Sequence, residues 1–470
     1  MTVPFVRAVV LNYNGGQHVL DCIEALTHTD WPADRFEIVM LDNASSDGSE
    51  KAVAERFGSV RVQPTGANLG FPANNLAMRD LDGIDYVALV NNDAFVEPGW
   101  LAPLVEVLQA DTGLGAACPK ILFAPRFVEI IIESPTFNPP GDGRDLGVRI
   151  HEVAADGHST FGLTQFIAGC WGVEHTQQGP FRWTSGRAVL RVPAGEAGSN
   201  FGFTNLRLAA ESTKEVVVRC GSYELHVKVG PTPVDVDVPH WQPTFDVINN
   251  AGSILIDDGS GADRAFLEVD DGRFDDPVDV FNWCGGGVLL RPEYLADAGL
   301  FDERFFLYYE DTDLSWRGQA LGWRYRYVPT SVLRHLHSAS SGEGSNVFAY
   351  HVERNRLLLL AKNAPWRLAV GQSWRYVLST ASYARRDVLG PLRHRRRPPL
   401  RLLLNRVRSY VGFLRLLPAM LVDRRAMARR RTRSHREVAR AFVRRSDFDR
   451  WTAANVAEAG TRGERGERWQ

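Results

Sequence analysis

Val87-Ala88-Leu89-Val90-Asn91-Asn92-Asp93-Ala94-Phe95-Val96-Glu97-Pro98-Gly99-Trp100 is the stretch from which the rest of the chain is read. It opens as an apolar run suited to a buried strand. Asn-Asn-Asp breaks the run and Pro-Gly ends it. Leu101, Leu104, Val105 and Leu108 then follow at helical spacing. A carboxylate is thereby set at the carboxyl end of a strand, the edge where ligands bind in open α/β sheets. Hard cations take oxygen ligands, so Asp93 between amides and a phosphate-bearing substrate is chemically apt. The same triplet also makes an ordinary turn.

Upstream, residues 6–125 repeat the pattern. Val6 to Leu11 reads as a strand ending at Asn12-Tyr13-Asn14-Gly15-Gly16, and Val19, Cys22, Ile23 and Leu26 mark one helix face. Phe36 to Leu41 reads as a strand ending at Asp42-Asn43-Ala44-Ser45-Ser46-Asp47-Gly48, and Asn68-Leu69-Gly70-Phe71-Pro72-Ala73-Asn74-Asn75 opens a later helix. Such alternation implies a parallel sheet with right-handed crossovers, with polar strand ends gathered along one edge. No glycine pattern fits the dinucleotide fingerprint or the P-loop.

Downstream, the texture changes between Pro135 and Phe245. Short alternating strands separated by Gly-rich and Pro-rich turns suggest a β-sandwich inserted into the α/β unit. The α/β texture returns at Asp246, and Trp283-Cys284-Gly285-Gly286-Gly287 precedes an apolar strand. A helix is expected from Glu310 to about Leu321. Acidic residues in its first turn also serve the ordinary dipole preference.

The whole chain fits this frame. Its 470 residues allow two or three domains, and 44% hydrophobic with 23% charged residues is the composition of a globular protein. Five scattered cysteines lack metal-ligand spacing and suggest a reducing compartment. No secretory leader or membrane span is expected. The net charge of −2 conceals an Arg-rich stretch from Pro391 to Arg445, opposed only by Asp423 and Glu437. That asymmetry points to an anionic partner surface. Nucleic acid is not expected, because the arginines alternate with leucines rather than with base-stacking aromatics.

Five motifs occur in order: Val10-Leu11-Asn12-Tyr13-Asn14, Leu41-Asp42-Asn43-Ala44-Ser45-Ser46-Asp47-Gly48-Ser49, Asn68-Leu69-Gly70-Phe71, Asn91-Asn92-Asp93 and Tyr309-Glu310-Asp311-Thr312-Asp313-Leu314. Together they resemble family-2 glycosyltransferases of the GT-A fold, particularly the bacterial rhamnosyltransferase-like branch, over about residues 5–125 and 246–345. The resemblance implies an inverting transferase that moves a sugar from a nucleoside diphosphate to a lipid-linked or cell-envelope glycan, with rhamnose and galactofuranose as candidate sugars. It implies a divalent metal (Mg2+ or Mn2+) held by Asp93 and His335, with His337 the lesser choice. Asn91 stands where the family's metal motif carries its first Asp. Asp311 is the implied base, with Glu310 and Asp313 close enough to couple to it or replace it. Asn12, Tyr13, Asn14, Asp42, Asn43, Asn68, Gly70, Asn75, Asn91 and Asn92 are the expected donor-binding set. Trp283, Gly285 and Gly286 are expected to shape the sugar or acceptor pocket. A competing reading is a non-catalytic glycan-binding scaffold with a degenerate fold.

On this reading residues 1–134 are the nucleotide-binding half of the GT-A domain, 135–245 the β-rich insert and 246–346 the acceptor and catalytic half. Residues 347–451 form a helical, basic extension lying on an anionic membrane, and 452–470 a disordered tail. The expected location is cytoplasmic, peripheral on the inner face of a bacterial membrane. The extension has an alternative, in which its leucines pack on the catalytic domain and its arginines are solvated.

Overall fold

A computed structural model describes residues 3–176, 179–195, 202–336, 346–389 and 400–458. The chain makes two compact units. The first runs up to Leu122 and continues through Ile248–Phe266 and Asp271–Arg445. The second is built on Phe123–Val247.

The first unit is organised on a ten-stranded mixed sheet. Val6–Asn12 lies between Phe36–Asp42 and Tyr86–Asn91, parallel to both, and Arg61–Pro64 extends the parallel half. Beyond Tyr86–Asn91 the pairing turns antiparallel, with Gly287–Leu290 alongside it. Val6, Ala8, Val9, Val10 and Val87 to Val90 are almost wholly buried, as strands covered on both faces must be. The helices Gly16–Thr27 and Leu101–Ala110 bury the faces their spacing marks: Val19, Cys22, Ile23 and Leu26 in one, Leu101, Leu104, Val105 and Leu108 in the other. The α/β architecture expected from the strand–helix alternation is present.

The helix Glu310–Leu321 and the strand Arg324–His335 complete the first unit. The extension is not a free appendage. Leu357 to Leu360 of the helix Asn346–Asn363 share one apolar core with Phe305 and Trp316.

The second unit carries a nine-stranded sheet. Val216 and Val218 near one end of the strand order share a core with Val236 and Val238 at the other, so the sheet doubles back on itself as a sandwich does. This unit begins at Phe123 rather than Pro135. The strand Arg126–Glu133 is paired on both sides within it, to Gly179–Gly195 and Lys214–Cys220, so it does not belong to the first unit. The tail also differs from expectation. Arg445–Glu458 is a helix with Asp447 in its first turn paired to Arg450, and residues 459–470 lie outside the described residues.

Candidate active site

Asn12 ends the first strand and is completely buried. Its amide donates to Asp42, Ser45 and Ser49, and its carbonyl oxygen accepts from Gly15 N–H and from Asn92 Nδ2 at 3.2 Å. One side chain thus ties together three strand-end loops. Asn43 does the same for the next loop, donating to Asn68 and Gly70 and accepting from Leu69 N–H. These two asparagines hold the strand-end loops from beneath. Tyr13 stands exposed in the first of these loops, and Asn14, at φ 52°, accepts from Ser46 N–H. Gly70, at φ 68°, passes so close to the Phe306 carbonyl that a Cβ would collide with it.

Asp93 and His335 are 242 residues apart in sequence, yet Asp93 Oδ1 lies 3.0 Å from His335 Nε2. The contact follows from strand pairing: Ala94–Val96 runs antiparallel to the end of Arg324–His335, with Ala94 opposite His335. Asn249 Oδ1 faces His335 Nδ1 at 3.2 Å, and Asn91 Nδ2 lies 3.4 Å from Nε2. Burial raises the Asp93 carboxyl, but the adjacent imidazole outweighs it and leaves the group below its ordinary range. His337 lies outside the described residues. Among the described residues no group of three or more His, Cys, Asp or Glu side chains could hold a metal ion. A carboxylate and an oriented imidazole do fit a divalent cation that takes its other oxygens from a substrate diphosphate and water.

The other end of the site is the N-terminus of Glu310–Leu321. Asp311 Oδ2 accepts from Gly285 N–H at 3.3 Å, and Oδ1 accepts from Thr312. A Cβ on the next glycine, Gly286, would sit 3.7 Å from both Asn91 Nδ2 and His335 Cε1. The glycine pair therefore spans from the Asp311 carboxylate to the Asp93–His335 pair. Burial pushes the Asp311 carboxyl up to about 6, against the Thr312 and Gly285 hydrogen bonds. Glu310 is more deeply buried, one of its oxygens has no hydrogen-bond partner, and its carboxyl is raised well above the usual range by burial and then by the charge of Asp311.

Three expected site residues are committed elsewhere. Asp313 is fully buried and accepts from Arg317 and Lys362, both at 2.9 Å, and from Asn363 at 2.8 Å. Its carboxylate braces the helix and is not available as a base. Asn75 exchanges two hydrogen bonds with the backbone of Phe301. Trp283 is completely buried, edge-on to Phe301, and so supports the site from the core rather than lining a pocket.

The residues that hold the turn before Glu310–Leu321 carry no sequence motif of their own. Phe306, Tyr308 and Tyr309 have φ of 68°, 68° and 70°, a region costly for non-glycine residues. Asn355, fully buried, donates its amide to the carbonyls of Phe305, Leu307 and Tyr308. Arg354 donates to the carbonyls of Arg304 and Phe305. Polar residues flanking the apolar 357–360 run were the available signal.

Residues 8–144 match the family model of Glycosyl transferase family 2. The chain is 23% identical, over 85% of its length and 97% of the relative's, to the N-acetylglucosaminyl-diphospho-decaprenol L-rhamnosyltransferase of Mycobacterium tuberculosis. Among solved structures it is similar to GalNAc-T7 with UDP, GalNAc and Mn2+ (14% identity, TM-score 0.40, 77% of this chain and 48% of that one). It is also similar to the mannosyltransferase PcManGT of Pyrobaculum calidifontis in complex with GDP-Man and Mn2+ (14% identity, TM-score 0.37, 100% of this chain and 89% of that one).

Proposed function

We propose, for a chain whose residues 8–144 are a family 2 glycosyltransferase domain, that it transfers a sugar from a nucleoside diphosphate to a hydroxyl of a lipid-linked or cell-envelope glycan, with inversion at the anomeric carbon. One arrangement carries the reading: Gly285 and Gly286 join the Asp311 carboxylate to the Asp93–His335 pair. A base and a charge-holding pair then face one reacting centre from two sides.

Asp311 takes the proton of the acceptor hydroxyl as its oxygen attacks the anomeric carbon. The bond from that carbon to the diphosphate oxygen breaks, and its electron pair leaves with the diphosphate. A single displacement inverts the carbon. Glu310 is buried without a partner for one of its oxygens, and burial and the neighbouring Asp311 charge both raise its carboxyl, which disfavours a second negative charge beside Asp311. Asp93 and His335 would hold the divalent cation, which supplies Lewis-acid neutralisation of the leaving diphosphate when bound. The name of the mycobacterial relative favours rhamnose as the first sugar to try and a lipid diphosphate acceptor.

The test offers the purified chain TDP-rhamnose and UDP-galactofuranose, with and without Mg2+ or Mn2+, and follows release of the nucleoside diphosphate. Chelator should abolish turnover, and Asp93→Ala should weaken nucleotide binding only when metal is present. Full turnover of metal-free protein in EDTA would remove the metal from the reading. Release from neither donor would exclude both sugars.

A further inference from the structure

Two helices of the first unit depart from the usual surface pattern: besides the face packed on the core, each carries an apolar stripe on the side away from it. In Trp366–Tyr383 the inward residues are Ala369, Gln372 and Tyr376. Trp366, Val370, Trp374 and Leu378 recur at four-residue steps on the other side, and each is 50–62% exposed. In Leu400–Arg430 the inward face holds Asn405, Ser409, Phe413 and Met420. Leu404, Val407, Val411, Leu414 and Val422 stand opposite, 39–62% exposed. The polar groups turned inward are satisfied there: Tyr376 hydrogen-bonds Glu353 and the Arg406 carbonyl, and Ser409 bonds the Tyr350 carbonyl. The inward faces are therefore stably packed, and they leave two apolar stripes outward. The helices are neighbours, with Tyr376 stacked on Tyr410 at 5.8 Å.

The charge beside the stripes says what covers them. Arg401, Arg408 and Arg415, all exposed, follow one edge of the longer stripe at seven-residue steps, and Arg425 and Arg429 continue past its end. The one acidic residue of that helix, Asp423, is paired with Arg304. A two-fold contact with a second copy would set like arginine rows against each other or leave them unpaired. A protein surface would need a matching acidic rim around an apolar centre. A bilayer of anionic phospholipid supplies both at once, with acyl chains under the stripe and phosphates along its edge. Tryptophan suits that boundary, and long arginine stems reach from it to the headgroups. No helix among the described residues is long and apolar enough to cross a membrane.

We propose that the paired outward stripes of Trp366–Tyr383 and Leu400–Arg430 are a docking face for an anionic phospholipid surface, on which the helices lie without crossing. The face is independent of which sugar is transferred, and its test reads binding rather than turnover. A failure here therefore leaves the transferase reading standing, and the reverse holds.

The full chain is floated with phosphatidylcholine vesicles carrying increasing phosphatidylglycerol, at low and high salt. Binding should rise with phosphatidylglycerol and fall with salt. Combined Trp374→Ser, Leu378→Ser and Val411→Ser should lower the partition coefficient at least about tenfold. Arg408→Gln and Arg415→Gln should each cost about fivefold on anionic vesicles. Circular dichroism and the unfolding midpoint should match the parent for every variant, since the altered side chains are exposed. Failure of the parent to float, or equal flotation of the serine variant, overturns the proposal. So does a dimer of the parent in solution that the serine changes dissolve, because the stripes would then be a contact between copies.

Discussion

Asp311 is the acidic residue of its helix's first turn that is left partly exposed, while Glu310 and Asp313 beside it are buried. Two backbone N–H groups and the Thr312 hydroxyl hold it in orientation, while burial raises its carboxyl to about 6. The sign of the pH dependence follows. Below about 6 the carboxyl is protonated and cannot accept the acceptor's proton, so kcat/KM should fall about tenfold per pH unit, and level off above. A profile flat from about pH 5 to 8 would place the titrating carboxyl below that window and leave the role of Asp311 to its substitution. Asp311→Asn keeps the shape and removes the basicity, and should reduce kcat at least about a hundredfold with donor binding largely intact, as read by steady-state kinetics and nucleotide titration. Asp313, two residues on, meets the opposite environment. Burial raises it, but Lys362 and Arg317 hold it below the usual carboxylate range.

The helix Glu310–Leu321 is aimed by its neighbours. The turn before it contains three non-glycine residues in the left-handed region, each costing about 1–3 kcal/mol unless its surroundings enforce the conformation. Asn355 supplies that enforcement from the helix Asn346–Asn363 by donating to three carbonyls of the turn. Asn355→Asp has the same shape without the amide donor. It should lose about 1–3 kcal/mol of stability in urea unfolding and lower kcat more than it raises the donor KM, because Asp311 is the group displaced. A variant that loses stability with kcat unchanged would confine Asn355 to folding. The same helix contributes Lys362, whose ammonium bridges Asp302 at 2.7 Å and Asp313 at 2.9 Å, all three nearly unexposed. Lys362→Met leaves Asp302 to Arg304 and Asp313 to Arg317 and Asn363, and the loss of one charged hydrogen-bond donor to each should destabilise by about 1–3 kcal/mol in the same measurement. Loss much below that would mean water reaches the pair.

Across the whole chain, each of the two units has apolar cores of its own, which is the condition for separable folding. The first unit is interrupted between Leu122 and Ile248, and these two residues are partners in one antiparallel pair. A chain that leaves and returns through neighbouring strands can be closed by a short turn. Replacing about residues 124–246 by a hairpin turn should therefore leave a cooperatively unfolding protein that still binds nucleotide, measured by thermal unfolding and titration. Non-cooperative unfolding with no nucleotide binding would show that the β-rich unit is needed to brace the first.

The sequence by itself determined what periodicity and turn chemistry can encode. Alternating buried strands and amphipathic helices over residues 6–125 specified the α/β sheet, because side-chain spacing reports which residues share a face. The loss of helical spacing marked the β-rich unit but not its first strand, since Arg126–Glu133 is an apolar run that fits either sheet. Motif order brought Asp93, His335 and Asp311 into consideration, but only strand pairing between Ala94–Val96 and Arg324–His335 set the first two in contact. Nor could spacing tell Asp311 from Asp313, because what separates them is the partner each meets: glycine and threonine donors for one, Lys362 and Arg317 for the other. The leucines and arginines of the last helices read as amphipathic from the sequence alone. Which stripe is covered was decided by tertiary packing, because a 3.6-residue period defines two opposite faces and does not say which of them meets a core.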